Sequence, residues 1–301
     1  MSPLTPAAAA AAPALASVAF ERSPGYWQTV LRRLWRDPVA IGAGLVIAGL
    51  LLLAAFGPQL APADPYASSI LNRLKPIGFE NHPLGTDELG RDILSRLIVG
   101  TQLSLFMGIT PVLCAFVIGS CIGIVAGYAG GALNTVIMRT IDVFYAFPSV
   151  LLAIALSGAL GAGITNSLIS LTVVFIPPIA RVAESVTTQI RTRDFVEAAR
   201  ASGAHAFTIV RVHVLGNVLG PIFVYATSLI AVSMILASGL SFLGLGVKPP
   251  EPEWGLMLNT LRTAIYTQPA VAALPGVMIF VTSIAFNLLS DSLRSAMEIK
   301  A

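Results

Sequence analysis

The sequence predicts an all-α polytopic membrane protein with six transmembrane helices. Three observations predict it. Of the 301 residues, 55% are hydrophobic and only 11% are charged, whereas a soluble domain carries about 25% charged residues. Six apolar runs come close to the ~20 helical residues that cross a ~30 Å hydrocarbon core. Lys and Arg, finally, are shared unevenly among the segments that connect those runs. Mean hydropathy is +0.82, which argues against a soluble enzyme with a buried core. The net charge of +3 includes no Lys/Arg block of the kind that makes a nucleic-acid surface.

Taken in order, residues 1–26 are Ala/Pro-rich and read as a disordered cytoplasmic tail. Residues 27–100 read as a first span, Val39 to Phe56, and a long extracytoplasmic loop. A core of five spans follows over residues 101–292: Leu103 to Val125, Val143 to Leu160, Ile164 to Ala180, Ile222 to Leu245 and Val271 to Leu289. The third and fourth are separated only by Gly161 to Thr165, a tight turn. Pro58, Pro177, Pro178 and Pro221 sit at run edges, where a missing N–H costs little. Residues 293–301 read as a cytoplasmic C-terminal tail.

The basic residues orient the bundle. Arg32, Arg33 and Arg36 precede the first span, which places the N-terminus in the cytoplasm. Alternating from there, twelve of the 18 Lys and Arg fall inside and six outside. An even number of spans puts both termini in the cytoplasm. The spans carry no ionisable residue near their middles, and Asp142 and Asp291 fall at edges. Intramembrane carboxylates, His or Lys are the usual parts of proton-coupled transport. Energy for uphill movement is therefore expected to enter from outside the span region.

The second run contains Gly119, Gly123 and Gly127, which stack on one helix face and admit a close neighbour. Packing inside this chain and contact with another subunit both fit that pattern. Cys114 and Cys121 lie seven residues apart, roughly 10 Å along a helix and beyond the ~7 Å reach of a disulfide. They read as small packing residues. The histidines, His82, His205 and His213, show no metal-ligand spacing.

The largest inside segment, residues 181–221, is charged and folded in pattern. Asp194 and Glu197 make a D-x-x-E start close to a capping box, favourable also at the positive helix end. Val196 to Ser202 reads as a short helix, Gly203 as its left-handed cap, and Ala206 to Val214 as a second piece. Ala198 and Ala199 give the first helix a small face that a pocket in another protein can grip.

Glu197, Ala198, Ala199, Gly203, His213, Leu215 and Asn217 resemble the EAA loop of permease subunits of binding-protein-dependent ABC importers. Gly216 stands where that pattern has Pro. His82 to Leu105, Asp142 to Leu156 and Leu240 to Leu258 resemble the second permease (C-type) of dipeptide, oligopeptide and nickel importers. The resemblance implies a type I importer fold in which this chain forms half of a translocation pathway. It implies four kinds of partner: a homologous permease, two cytoplasmic ABC ATPases, an extracytoplasmic solute-binding protein and the lipid bilayer of a bacterial inner membrane. The loop would carry coupling helices that dock into the ATPases. ATP and Mg would be bound by those partners and no cofactor by this chain, which would itself catalyse nothing. Peptides lead as cargo, with nickel or glutathione as alternatives.

In the outer segments, Asp87, Arg91, Asp92 and Trp254 are candidate contacts for the binding protein. The competing reading is structural, with Asp87 or Asp92 capping the helix that enters the second span. Trp254 suits a membrane interface. A secondary transporter or channel is the main alternative function, and a membrane enzyme a third; neither has a visible coupling residue or catalytic set. Ser157, Asn166, Thr227 and Ser233 are polar residues within spans that sequence alone leaves unranked.

Overall fold

The computed structural model describes residues 26–297. Apart from residue 26, the tail expected at residues 1–26 lies outside them, as do residues 298–301. A short helix α1 (Tyr26–Leu34) leads to α2 (Pro38–Leu60). Asp37 starts α2 by accepting the Val39 N–H at 2.9 Å, with Pro38 in the first position, where no N–H is needed. A folded loop of residues 61–92 then enters α3 (Ile93–Ala129). Next come α4 (Gly131–Tyr145), α5 (Ser149–Leu160) and α6 (Ile164–Arg191). The chain then forms α7 (Asp194–Ala201), α8 (Ala206–Ile209) and α9 (Leu215–Phe242), with a π turn at Val210–Val214. It closes with α10 (Trp254–Thr260) and α11 (Pro269–Met297).

Five helical stretches are long and apolar enough to cross a membrane, and α4 with α5 make a sixth only as a pair bent by 86°. Helix α3 packs along α6, with α2 and α9 on its flanks, and α11 joins α2 to α9. One end of this bundle carries α1, α7 and α8; the other carries the 61–92 loop and α10.

The structure corrects several sequence expectations. The third span is not one helix from Val143 to Leu160. Pro148 has no N–H to give Phe144, whose carbonyl takes the Phe147 N–H instead, and the chain turns there. The prolines at run edges, Pro58, Pro177, Pro178 and Pro221, lie inside helices. Helix α6 therefore continues past them to Arg191 and brings Arg181 and Glu184 into the helix. Cys114 and Cys121 are exposed on α3 rather than packed within the chain.

The three glycines of α3 pack internally. A methyl group on Gly119 would lie 3.0 Å from the Ile176 carbonyl oxygen, and one on Gly127 would lie 2.7 Å from that of Glu184. One on Gly123 would run into the Ala180 carbonyl. The successive levels show α3 and α6 running parallel, backbone against backbone, which is what small residues four apart permit.

Candidate functional site

At the α7 end, residues 192–214 form a hairpin between two long helices. Val196, Ile209 and Val214 are its buried anchors. Asp194 is the first helical residue of α7, not its cap: the cap is Arg193, whose carbonyl takes the N–H groups of Val196 and Glu197. The expected capping box is therefore absent, although both carboxylates still lie in the first turn, at the positive helix end. Gly203 does close α7. It has φ +79°, its N–H donates to Arg200, and the Ala204 N–H donates to Ala199. Those paired bonds satisfy two end carbonyls in a Schellman turn.

The second piece is not separate. Helix α8 passes through the π turn into α9, so that residues 206–242 form one continuous helical stretch. His205 starts it by accepting the Phe207 N–H at 3.3 Å. His213 lies half-buried with its ring 6.3 Å from that of Phe195, and Asn217 donates to the His213 carbonyl at 2.7 Å. Gly216 has open space around it and sits in unbroken helix. Ala198 is exposed, Ala199 half-buried and Leu215 half-buried. Phe195, Phe207 and Val212 are exposed at 44%, 68% and 60%. The hairpin is thus a firmly seated element whose free surface mixes small and apolar residues with the exposed charges of Arg193, Asp194, Glu197, Arg200 and Arg211.

At the other end, the 61–92 loop closes on buried charges. Asp87 accepts from the N–H groups of Leu89 and Arg91, both at 2.9 Å, and from Arg91 Nε at 2.7 Å. Asp92 caps α3, accepting the Ser95 N–H at 2.7 Å and its hydroxyl at 2.6 Å, and it meets His82 Nδ1 at 3.0 Å. Arg96 reaches the carbonyl oxygens of Pro65 and Pro250 at 2.8 and 3.3 Å. Trp254 is fully buried, its indole N–H donating to Leu97 at 3.2 Å and its backbone N–H to Ser104 at 3.0 Å. Glu253 caps α10 through the Gly255 and Leu256 N–H groups at 2.9 and 2.8 Å. Burial pushes its carboxyl above the ordinary range, and those bonds pull only part of the way back.

A bundle of this topology, with a polar hairpin before the penultimate long helix, matches known proteins. The family described as binding-protein-dependent transport system inner membrane component matches residues 119–299. The chain belongs to that family. Residues 25–76 of this permease match the N-terminal transmembrane domain of oligopeptide transport permease C. It is 41% identical over 274 residues to proteins called glutathione transport system permease protein GsiD from Pectobacterium atrosepticum and Escherichia coli. The match covers 91% of this chain and 91% and 90% of those two. A solved chain from the inward-facing MetNI methionine ABC transporter shares the fold, with a TM-score of 0.57 and 20% identity, over 68% of this chain and 97% of that one.

The protein is a multi-span membrane permease subunit of an ABC importer. The geometry rearranges which permease residues are available for contact. Asp87, Arg91, Asp92 and Trp254 are at most 6% exposed, so a docked protein cannot touch them without opening the loop. They are its internal fastening, and the Trp254 ring is enclosed by protein rather than offered to a membrane interface. The side chains that this fastening leaves outside are Tyr66, Ile70, Leu71 and Leu89. Nothing in their sequence pattern separates Ile70 and Leu71 from a core pair; only the turn at Ser69, whose N–H donates to Leu89, sends them outward. Glu253 and Arg96 were equally hidden, because sequence alone does not say which loop charge is enclosed.

Proposed function

We propose that this permease forms half of the translocation pathway for short peptides, glutathione among them, across a bacterial inner membrane. The supporting observation is the 41% identity, over nine-tenths of both chains, to permeases called glutathione transport proteins. Glutathione is itself a tripeptide, and the N-terminal match to an oligopeptide permease points to the same cargo class. A homologous permease completes the pathway, two ABC ATPases drive it, and an extracytoplasmic binding protein supplies solute. The hairpin of residues 192–214 faces the cytoplasm with both termini, and it docks an ATPase through α7. Asp194, Glu197, Ala198, Ala199 and Gly203 shape that helix, while His213, Leu215 and Asn217 tie it to α9. ATP hydrolysis belongs to the ATPases; this chain transmits the movement.

The cargo is tested by uptake into proteoliposomes holding the complete complex and its binding protein, with glutathione, di- to oligopeptides and Ni²⁺ as solutes. Uptake of Ni²⁺ alone overturns the peptide assignment. The hairpin is tested by Ala198→Glu, which puts a bulky charge on the exposed small face. Uptake falls at least tenfold while the subunit still assembles with its partner permease. Unchanged uptake and unchanged ATPase binding would show that α7 is not the docking element.

A further inference from the structure

We propose that the cavity at the α4–α5 bend, with the Arg181–Asp142 ion pair at its mouth, is a substrate subsite that takes the charged terminus of a short peptide. This inference rests on the peptide-import reading above. The cavity holds about 300 Å³, the lower end of the ~300–1,000 Å³ typical of ligand pockets. Its walls include Phe144, Tyr145 and Phe147 from the bend, Pro177 and Pro178 from α6, and Tyr225 from α9. Arg181 lies one turn beyond Pro178, and Asp142 one turn before Tyr145, so the pair stands where both walls end. Arg181 Nη2 donates to Asp142 Oδ1. The guanidinium also lies 5.6 Å from the Tyr145 ring centroid, and Arg139 Nη1 lies 3.7 Å from Asp142 Oδ2.

The pair is accessible rather than enclosed. The Arg181 and Asp142 side chains are 49% and 34% exposed, although α6 is one of the membrane-crossing stretches. Charges so placed do not face lipid; they face a watery path or another protein. The polar residues named within the spans from sequence offer a solute less. Ser157 and Ser233 are fully buried, Thr227 donates to the Val224 carbonyl, and Asn166 donates to those of Leu160 and Gly161.

The cavity chemistry fits a zwitterion with variable side chains. Arginine binds a carboxylate in a two-pronged, charge-assisted fashion. A peptide carboxylate replacing Asp142 on Arg181 exchanges one carboxylate for another, which favours passage over trapping. Asp142, released from Arg181, keeps Arg139 3.7 Å from its Oδ2 and offers Oδ1 to an ammonium group. Pro177 and Pro178 have no N–H to give the carbonyls of Val173 and Val174 one turn back, so the regular helix bonds to those two acceptors are missing next to the cavity wall. The aromatic walls accept apolar side chains without dictating which.

The test uses the complete complex in proteoliposomes, with trialanine and trialanine amide as labelled probes and binding-protein-stimulated ATPase activity as the control. Arg181→Gln lowers trialanine uptake at least tenfold and uptake of the amide less than twofold, each relative to wild type, with ATPase stimulation within twofold. Arg181→Lys retains trialanine uptake to within about threefold. The exchanged pair Arg181→Asp with Asp142→Arg restores opposite charges but not trialanine uptake. Equal loss of both probes in Arg181→Gln, or recovery in the exchanged pair, shows a bridge between helices or to the partner permease and overturns the subsite. A wild-type complex that accumulates neither probe, nor glutathione, overturns the peptide reading itself, and the subsite with it.

Discussion

Glu253 shows how one side chain can organise an end of the molecule. It is 1% exposed, has no cationic partner among the described residues, and uses both oxygens at the start of α10, with the Ser241 hydroxyl as a further partner. A buried carboxylate is costly unless hydrogen-bonded, and a helix cap contributes about 0.5–2 kcal/mol. The two effects oppose each other, and their balance shifts with pH. Because the folded-state pKa is raised above its ordinary value of 4.5, the stability from this group is fully present below 4.5. It is lost as pH rises through the raised value. Glu253→Ala is therefore most destabilising near pH 4.5, by about 1 kcal/mol on the capping scale, and less so at pH 7.5. Thermal unfolding of the detergent-solubilised permease at the two pH values measures the difference; a larger penalty at pH 7.5 would mean that the cap outweighs burial when ionised.

At the scale of elements, the α3–α6 contact makes a graded prediction. A side chain added at Gly119 meets oxygen at 3.0 Å, so its neighbours need to yield by only tenths of an ångström. At Gly123 the Ala180 carbonyl and the Ala183 Cβ, 2.5 Å away, both stand in the way. Overpacking of a close contact costs about 1–3 kcal/mol. Gly119→Ala is thus expected to keep folded yield close to wild type, whereas Gly123→Ala lowers melting temperature and recovery; equal behaviour would mean that the helices separate freely. Sequence revealed this contact as a four-residue repeat but not its partner, since glycine spacing says only that something approaches. Span existence was legible because apolar length is a property of one segment. Span boundaries were not: Pro177 and Pro178 look like an end, yet α6 continues through them to Arg191, packed against α3. The same blindness hid Pro148 as a bend, and it left Arg181 looking like a loop residue. The hairpin was legible through Gly203, whose left-handed backbone only a few residues accept, while the Asp194 cap failed because the helix starts one residue earlier, with Asp194 already helical and Arg193 at the cap position.

For the whole molecule, the remaining question is which end faces which side. Twelve of the 18 basic residues fall in segments assigned inside, and the residues that anchor charges internally, Asp87, Arg91, Asp92 and Arg96, gather at the opposite end. An ATP-driven lever requires the hairpin on the cytoplasmic side. Two exposed serines at opposite ends, Ser68 and Ser202, allow this to be read directly. The native thiols Cys114 and Cys121 are exposed on α3 within a stretch long and apolar enough to cross a membrane; replacing both with serine supplies a clean background. In that background, Ser68→Cys reacts with an impermeant maleimide in intact spheroplasts. Ser202→Cys reacts only after the membrane is opened, and it is shielded when the ATPases are bound, because it adjoins the Gly203 turn of α7. Labelling of Ser202→Cys from outside would invert the bundle, place the hairpin beyond the reach of any ATPase, and leave the lever without a force to transmit.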